Sequence, residues 1–517
     1  MNQIEPNPYT SNNVVKTKRE YSVADSVFAW LSLLFGYLFC RVFPISESPF
    51  GGFIFTLILF ASALIIVKVK KRKITLMPTL ALISAVVISA SLILTSNSQI
   101  QFFSYSYSLI SFCYFLYSAF GNCIEQGFSN LILVDFFKAL IILPFCSFGK
   151  MFIAMFSGGS KGKGKIFVKI IIGVAIAIIP TVVIFNLLSY DSDFTLLIDN
   201  IFDFDFNILA HIGSLILGVP IGLYIYGLFI SSVDNKCENV LCKDNVKKAG
   251  EKVKIAPPVT VIAALTPVMF IYGVFFISQW KYYISGFTGV LPEEFSYASY
   301  AREGFFQLCT VSFINLLLLF AVIIFLKRNS KFSNIVLKIT VIVFSLATLI
   351  LISTAIAKMA MYINTYGLTP KRVYATWFMV LIAVVFVLIC IKLFVKKLKT
   401  IAVSVCVIVF MFSLVALPNT DALIAKYNVN RYIGGSLSSV DFDAMEELGA
   451  SAVPSLIKLE NHLESTERDR SEEYIYENLK EYLDMFAQEF ENDERDIFSF
   501  TIPDALAERA LKSKNYL

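Results

Sequence analysis

The chain has 517 residues, of which 57% are hydrophobic, 15% aromatic and only 16% charged, with a mean hydropathy of +0.70. A soluble globular domain is near half apolar and a quarter charged, so these values exclude that class and point to an integral membrane protein. The formal charge of +5 divides unevenly: residues 418–517 carry 21 acidic and 10 basic side chains, whereas the first 417 carry 34 basic and 18 acidic, clustered in loops between apolar runs. Such a basic excess is a topology signal and excludes a nucleic-acid footprint.

The first segment, MNQIEPNPYTSNNVVKTKRE, is polar and lacks the short apolar core and small-residue cleavage site of a removable signal. It reads as a cytoplasmic tail over residues 1–24. Runs of about twenty apolar residues, the length that crosses about 30 Å of hydrocarbon, then recur about eleven times. They begin near Ala24, Gly51, Ile74, Phe102, Ile166, Phe206, Ala256, Gly304, Ile335, Val373 and Thr400. Hydrocarbon cannot satisfy an open backbone, so each must be helical. The run from Phe102, FFSYSYSLISFCYFLYSAFG, is the most polar of them.

Alternate loops are basic: Lys16, Lys18 and Arg19 in the tail, then KVKKRK (68–73), GGSKGKGK (158–165), KKAGEKVK (247–254), KRNSK (327–331) and KKLK (396–399). The positive-inside rule places all of these in the cytoplasm, and the intervening loops and the C-terminus outside. Residues 122–160 are apolar but interrupted by Glu125, Asp135, Lys138 and Lys150. They read as helices at the inner interface, with a two-span hairpin as the alternative.

Within 158–165, Gly159, Gly164 and Lys165 have the spacing of a phosphate-cradling loop. Ile166 stands where that loop needs Ser or Thr, and no strand precedes it, so a flexible basic linker is the better reading. In the run from Phe206, His211 is followed by Ser214, Gly218 and Gly222 at four-residue intervals, a ladder that permits close helix contact. His211 is assigned a hydrogen-bonded packing role rather than a proton relay. The central turns of the spans contain no Asp, Glu, Lys or Arg; Asn186 and Asn315 are modest polar substitutes, which disfavours a proton-coupled carrier.

The polar investment lies at the outer face. In LPEEFSYASYAREGFF, Pro292, Glu293 and Glu294 form a helix start, and Gly304 is a natural bend into the membrane. Arg302 and Glu303 diverge on a helix and need separate partners. The next outer loop offers Lys358, Tyr366, Thr369 and Arg372, with Gly367 allowing a tight turn and Pro370 restarting a helix. Tyr300, Arg302, Glu303, Lys358, Tyr366, Thr369 and Arg372 are therefore the expected polar cluster, binding or structural. Glu303 is expected to meet Lys358 or Arg372, and Arg302 an acid of the tail, a lipid phosphate or a ligand.

From Asn419 the chain reads as a small helical domain. Phe442, Met445 and Leu448 share one face, Gly449 stops that helix and Pro454 restarts the chain; Ile475, Leu479, Tyr482, Phe486 and Phe490 form a second stripe. The nine cysteines lie in apolar runs or inner loops, which argues against disulfides, and Cys237 with Cys242 lacks the ligand count of a zinc site. No metal, cofactor or catalytic residue is expected.

Four segments resemble a bacterial family of polytopic membrane proteins described as domains of unknown function, numbered 4153 and 4173. They are GVAIAIIPTVVIFNLLSYDSDF (173–194), YASYAREGFFQL (297–308), YINTYGLTPKRVYATWFMV (362–380) and NVNRYIGGSLSSVDFDAMEELGASAVPSLIKL (428–459). The resemblance implies an integral membrane protein and carries over no catalytic residue. The expected fold is all-α: a polytopic transmembrane bundle over 25–417 followed by an acidic extracytoplasmic helical domain over 418–517. The Phe, Ile, Lys and Asn richness and the loop charges suggest a bacterial plasma membrane. Two functions fit: a non-catalytic transport-like or sensory and scaffold component whose outer domain docks a partner, or an enzyme on lipid-linked or cell-wall substrates with Glu303 as base. The expected partners are membrane lipids and a protein partner through 418–517, without nucleic acid.

Overall fold

The computed structural model describes residues 21, 23–42, 48–155, 184, 188, 206–234, 241–278, 297–327, 330–395, 397–467, 469–492 and 497–517, with the backbone alone for 23–24, 206–210, 212, 297–304 and 471. Among the described residues the chain is helical, without a named strand; an isolated bridge joins Ala256 to Leu326. Among the described residues eight helices are long and apolar enough to cross a membrane, nine if the bent pair Thr400–Ala416 and Thr420–Ile433, turned by 52°, counts as one. Of the expected runs, the one from Ile166 lies outside the described residues. The one from Phe102 forms a helix too polar to join the eight, and the one from Thr400 joins them only through its bent partner.

The chain divides into two compact units, described in turn. Met1–Leu38 and Ser147–Ile230 make the first. Here α1 (Val23–Val42) meets the glycine ladder on a long helix spanning Phe206–Asp234. A Cβ on Gly218 would lie 2.7 Å from the Tyr37 nitrogen, and one on Gly222 would lie 2.9 Å from the Ser32 carbonyl oxygen. Only glycine lets the two backbones approach this closely, the use expected from the four-residue spacing. His211 Nδ1 is 2.6 Å from the Tyr37 hydroxyl at the same crossing, which gives the histidine its packing partner.

Phe39–Cys146 and Ser231–Leu517 make the second unit. It opens with α2 (Pro49–Val69), α3 (Leu76–Ser89) and α4 (Ser98–Ala119). The polar composition of α4 is explained by its contacts: Ser104 shares a 2.7 Å hydrogen bond with Ser91, Ser111 donates to Ala81 O at 2.8 Å, and Tyr107 meets Ser84 at 2.6 Å. Hydroxyls that bond across to a neighbouring helix fasten it instead of facing lipid. The stretch after α4 holds short helices, α5 (Ile132–Phe137) running through a π turn at Lys138–Ile142 into Leu143–Cys146, none long enough to span. Asp135 is buried there, accepting from the Tyr117 hydroxyl at 2.8 Å and the Ile124 amide at 3.0 Å.

A second bundle is built from α6 (Pro258–Ser278), α7 (Tyr297–Phe325), α8 (Lys331–Tyr366) and α9 (Pro370–Phe394) around Phe305, Phe344, Met379 and Phe386. Its main polar interruption is Asn315, fully buried, which accepts from the Tyr272 hydroxyl and donates to Thr348 Oγ1 at 2.9 Å. The backbone of α7 is helical without a break through Gly304, where a bend was expected; the Pro292 start lies outside the described residues.

Next come α10 (Thr400–Ala416) and α11 (Thr420–Ile433), then α12 (Phe442–Glu446), α13 (Val453–Glu464), α14 (Arg470–Asn492) and α15 (Ile502–Lys512). These last five share a hydrophobic core and are called the helical domain; by contacts they belong to the same unit as the bundle. Met445, Leu448, Leu456, Ile475, Leu479, Leu483 and Phe486 fill its core. The five residues of the predicted stripe pack in or against this core, Tyr482 and Phe490 from partly buried positions, and Leu483 joins them; Tyr482 stacks on Phe442 with centroids 5.3 Å apart. Gly449 stops the first helix at φ +55 and Pro454 opens α13, as read from sequence.

Among the described residues seven cysteines are free, and Cys146 is disulfide-bonded, which corrects the expectation of no disulfide. That expectation rested on compartment alone and ignored how the fold brings thiols together.

Candidate functional site

The sequence points to the turn between α8 and α9, and the structure builds a cleft beside it. Tyr366 ends α8, Gly367 caps it at φ +76, and Thr369 caps α9, its Oγ1 accepting from the Arg372 amide at 3.4 Å. Asn428 on α11 locks the turn by accepting from Leu368 N at 2.7 Å and donating to Leu368 O at 2.8 Å. Arg372 folds back on the end of α8: Nη1 donates to Tyr366 O at 3.1 Å and Gly367 O at 2.6 Å, and the guanidinium sits 4.1 Å from the Tyr362 ring centroid. A cation on the last carbonyls of a helix complements its dipole. Arg431 reaches the same end, donating to Ile363 O at 3.2 Å and Asn364 O at 2.8 Å.

Successive residues of α9 therefore serve different purposes. Arg372 faces the end of α8, while Lys371 and Tyr374, one turn apart on the neighbouring face, line a cleft of about 720 Å³. Its other walls come from Pro49 at the start of α2, Ser96–Gln101 at the start of α4, the start of α11, and the helical domain at Glu446–Ala450, Phe486–Phe490 and Ser499–Asp504. Five carboxylates line it, those of Asp421, Glu446, Glu447, Glu489 and Asp504, against one lysine.

Asp421 forms the floor. It is 1% exposed, and its carboxylate accepts from Asn97 Nδ2 at 2.8 Å and from the Tyr374 hydroxyl at 3.2 Å. Asn97 also caps α4, its Oδ1 accepting from the Gln99 and Ile100 amides, both at 3.1 Å. One side chain thus starts a helix and holds the acid of another. Asn419 caps α11 from a left-handed conformation, φ +47, which asparagine tolerates better than most residues. Its Oδ1 also accepts from Ser451 of the helical domain at 3.2 Å.

Around the rim, Lys371 pairs with Glu447 at 2.7 Å, an exposed ion pair that contributes little to stability. The Tyr482 hydroxyl donates to Glu446 at 3.3 Å; burial, then the Glu446 charge, push its pKa up, so it remains a donor. The acids are spread around the opening: among the described residues no group of three or more His, Cys, Asp or Glu could hold a metal ion.

Of the predicted cluster, Tyr366, Thr369 and Arg372 come together at the turn, and Lys358 lies buried on α8 two turns before Tyr366. Tyr300, Arg302 and Glu303 fall on the first turns of α7, and their side chains lie outside the described residues, as does the expected pairing of Glu303. The ion pair the structure does show at this turn, Lys371 with Glu447, was not among the expected ones. Asn97, Tyr374 and Asp421 were missed, although SNSQ and PNTD carry capping signatures that mark 97 and 419–421 as helix starts.

A family model described as Domain of unknown function (DUF4153) matches residues 82–459, a range that holds α4, the α8–α9 turn and Asp421. No curated protein and no solved structure matches the chain.

Proposed function

The chain belongs to the DUF4153 family, and from that membership and the cleft we propose that it is a non-catalytic envelope component, receptor-like or transport-like, that binds a cationic, hydrogen-bonding ligand between its bundle and its helical domain. The observation that carries the reading is the cleft itself. Its volume suits a small molecule or a peptide segment, and its five acids against one paired lysine favour positive charge. Because the acids are distributed, an extended polycation matches them better than a point charge.

The proposed site faces outward from a bacterial plasma membrane. Within the second unit the basic segments gather at the end opposite the helical domain: Lys243 pairs with Glu125 at 2.8 Å, Asn130 accepts from the Ile401 amide at 3.2 Å, and Ala256 bridges Leu326. The positive-inside rule makes that end cytoplasmic and the cleft extracytoplasmic.

Spermidine is the probe. Added to the protein in nanodiscs, it is expected to raise the unfolding midpoint, and Glu446→Gln with Glu489→Gln to remove most of that rise. A control pair outside the cleft lining, Asp244→Asn with Glu251→Gln on the exposed helix Lys243–Val253, is expected to keep it. No rise in the unaltered protein, or an equal rise in the cleft variant, rejects the reading.

A further inference from the structure

The segment between α14 and α15 carries the most concentrated apolar exposure of the helical domain. Ile497 is 75% exposed, and Phe498, Phe500, Ile502 and Leu506 are between 37% and 50% exposed. A water-facing domain does not ordinarily gather five such side chains in ten residues. Ser499, Thr501 and Asp504, interleaved with them, line the cleft instead, so the segment presents one polar and one apolar face.

The position of the apolar face identifies what covers it. The rings of Phe500 and Phe50 meet edge to face with centroids 6.1 Å apart, and a Cβ on Gly51 would lie 3.6 Å from Phe498 Cβ. Phe50 and Gly51 stand in the first turn of α2, a span of 21 residues. At 1.5 Å per residue that span is about 31 Å long, equal to the hydrocarbon thickness, so its first turn lies at the hydrocarbon boundary. Further along α2, Ile58 and Ile65 are exposed on the surface that faces lipid. The apolar face of residues 497–506 continues that surface just above the boundary.

We propose that residues 497–506 are an interfacial anchor: Ile497, Phe498, Phe500, Ile502 and Leu506 enter the headgroup layer of the bilayer and fix the helical domain, and with it one wall of the cleft, against the membrane. Shallow insertion of aromatic and aliphatic side chains at the headgroup boundary is the ordinary way a peripheral element holds to a membrane. The anchor does not depend on the ligand or on which side of the membrane the domain occupies.

Photocrosslinking tests it. The photoreactive amino acid p-benzoylphenylalanine replaces Phe498 in one variant and Ile497 in a second, with Glu481 on the solvent face of α14 as control. Each is placed in nanodiscs of phosphatidylethanolamine and phosphatidylglycerol and irradiated, and the peptides are weighed. Variants are read only where the unfolding midpoint matches that of the unaltered protein, which exposed positions should permit. Phospholipid adducts at 498 and 497, and none at 481, are expected. Adducts at 481 as strong as at 498, no lipid adduct at 497 or 498, or crosslinks there to a second protein chain overturn the anchor.

Discussion

Asp421 shows how a residue that reads as an ordinary helix-start acid becomes the keystone of a site. Its carboxylate is enclosed, and its two oxygens face different elements: Asn97 from the start of α4 and Tyr374 from the first turns of α9. Removing a partner from a buried acceptor costs more than the hydrogen bond contributes, because the remaining group stays desolvated and unpaired, roughly 1–3 kcal/mol. Asp421→Ala is therefore expected to lower stability by about that amount and Asn97→Ala by about as much, since the asparagine also caps α4. The double variant should lose less than the sum, because each single change already breaks the shared bond. Chemical unfolding in detergent, read as a double-mutant cycle, measures this; strict additivity would show that the contact carries no energy. At this scale the sequence made capping legible and pairing illegible. Asn97, Asn419 and Thr369 are recognisable as caps from their neighbours, but Asn97 and Asp421 lie 324 positions apart and no local pattern joins them.

Elements were more legible than contacts, because apolar periodicity and Gly or Pro punctuation act locally. The Gly367 stop, the Pro370 restart and the Gly449–Pro454 break all stand where they were read. The stripe of α14 was legible, and depth within it was not: Tyr482 packs partly buried against the core and leaves its hydroxyl on Glu446, whereas Leu483 beside it is fully buried and has no polar end to satisfy. Within the α8–α9 turn, Arg372 turns to the end of α8 while Lys371 turns to the cleft, a difference of one residue and about 100° on a helix that no local pattern decides. The glycine ladder was read correctly because small residues at four-residue spacing have one main use in a membrane. That use supports a prediction: Gly218→Val would drive a branched side chain into the Gly36 and Tyr37 backbone, and α1 must move away. Thermal unfolding in nanodiscs checks this: Gly218→Val is expected to lower the midpoint, and Gly218→Ala to lower it less. An unchanged midpoint in Gly218→Val would mean the close approach does not govern this crossing.

For the whole molecule, the distribution of charge is the organising fact. Among the described residues the spans of the second unit run alternately between two ends, so the described loops are assigned to one or the other by the helices that flank them. The ends of α2, α6, α7, α8 and α9 that carry Lys68, Lys254, Lys327, Lys331 and Lys397 fall on one side, and the starts of α2, α4 and α9 meet the acidic domain on the other. The sequence and the geometry therefore separate the charges in the same way, although the first was read from loops alone and the second from contacts. This separation has a consequence for assembly. In the proposed orientation the basic loops stay in the cytoplasm, and the acidic domain crosses the membrane before its core closes on Leu368 and Val373 of the α8–α9 turn. The proposed orientation then predicts reporter behaviour at three positions. Alkaline phosphatase, active only outside the cytoplasm, should be active when fused after Leu517 and inactive after Lys254 or Lys397, with a cytoplasm-dependent fluorescent reporter giving the opposite pattern. Phosphatase activity after Lys254 and Lys397 but not after Leu517 would invert the molecule, turning the cleft to the cytoplasm and removing the extracytoplasmic ligand from consideration, while leaving the interfacial anchor to be judged on its own experiment.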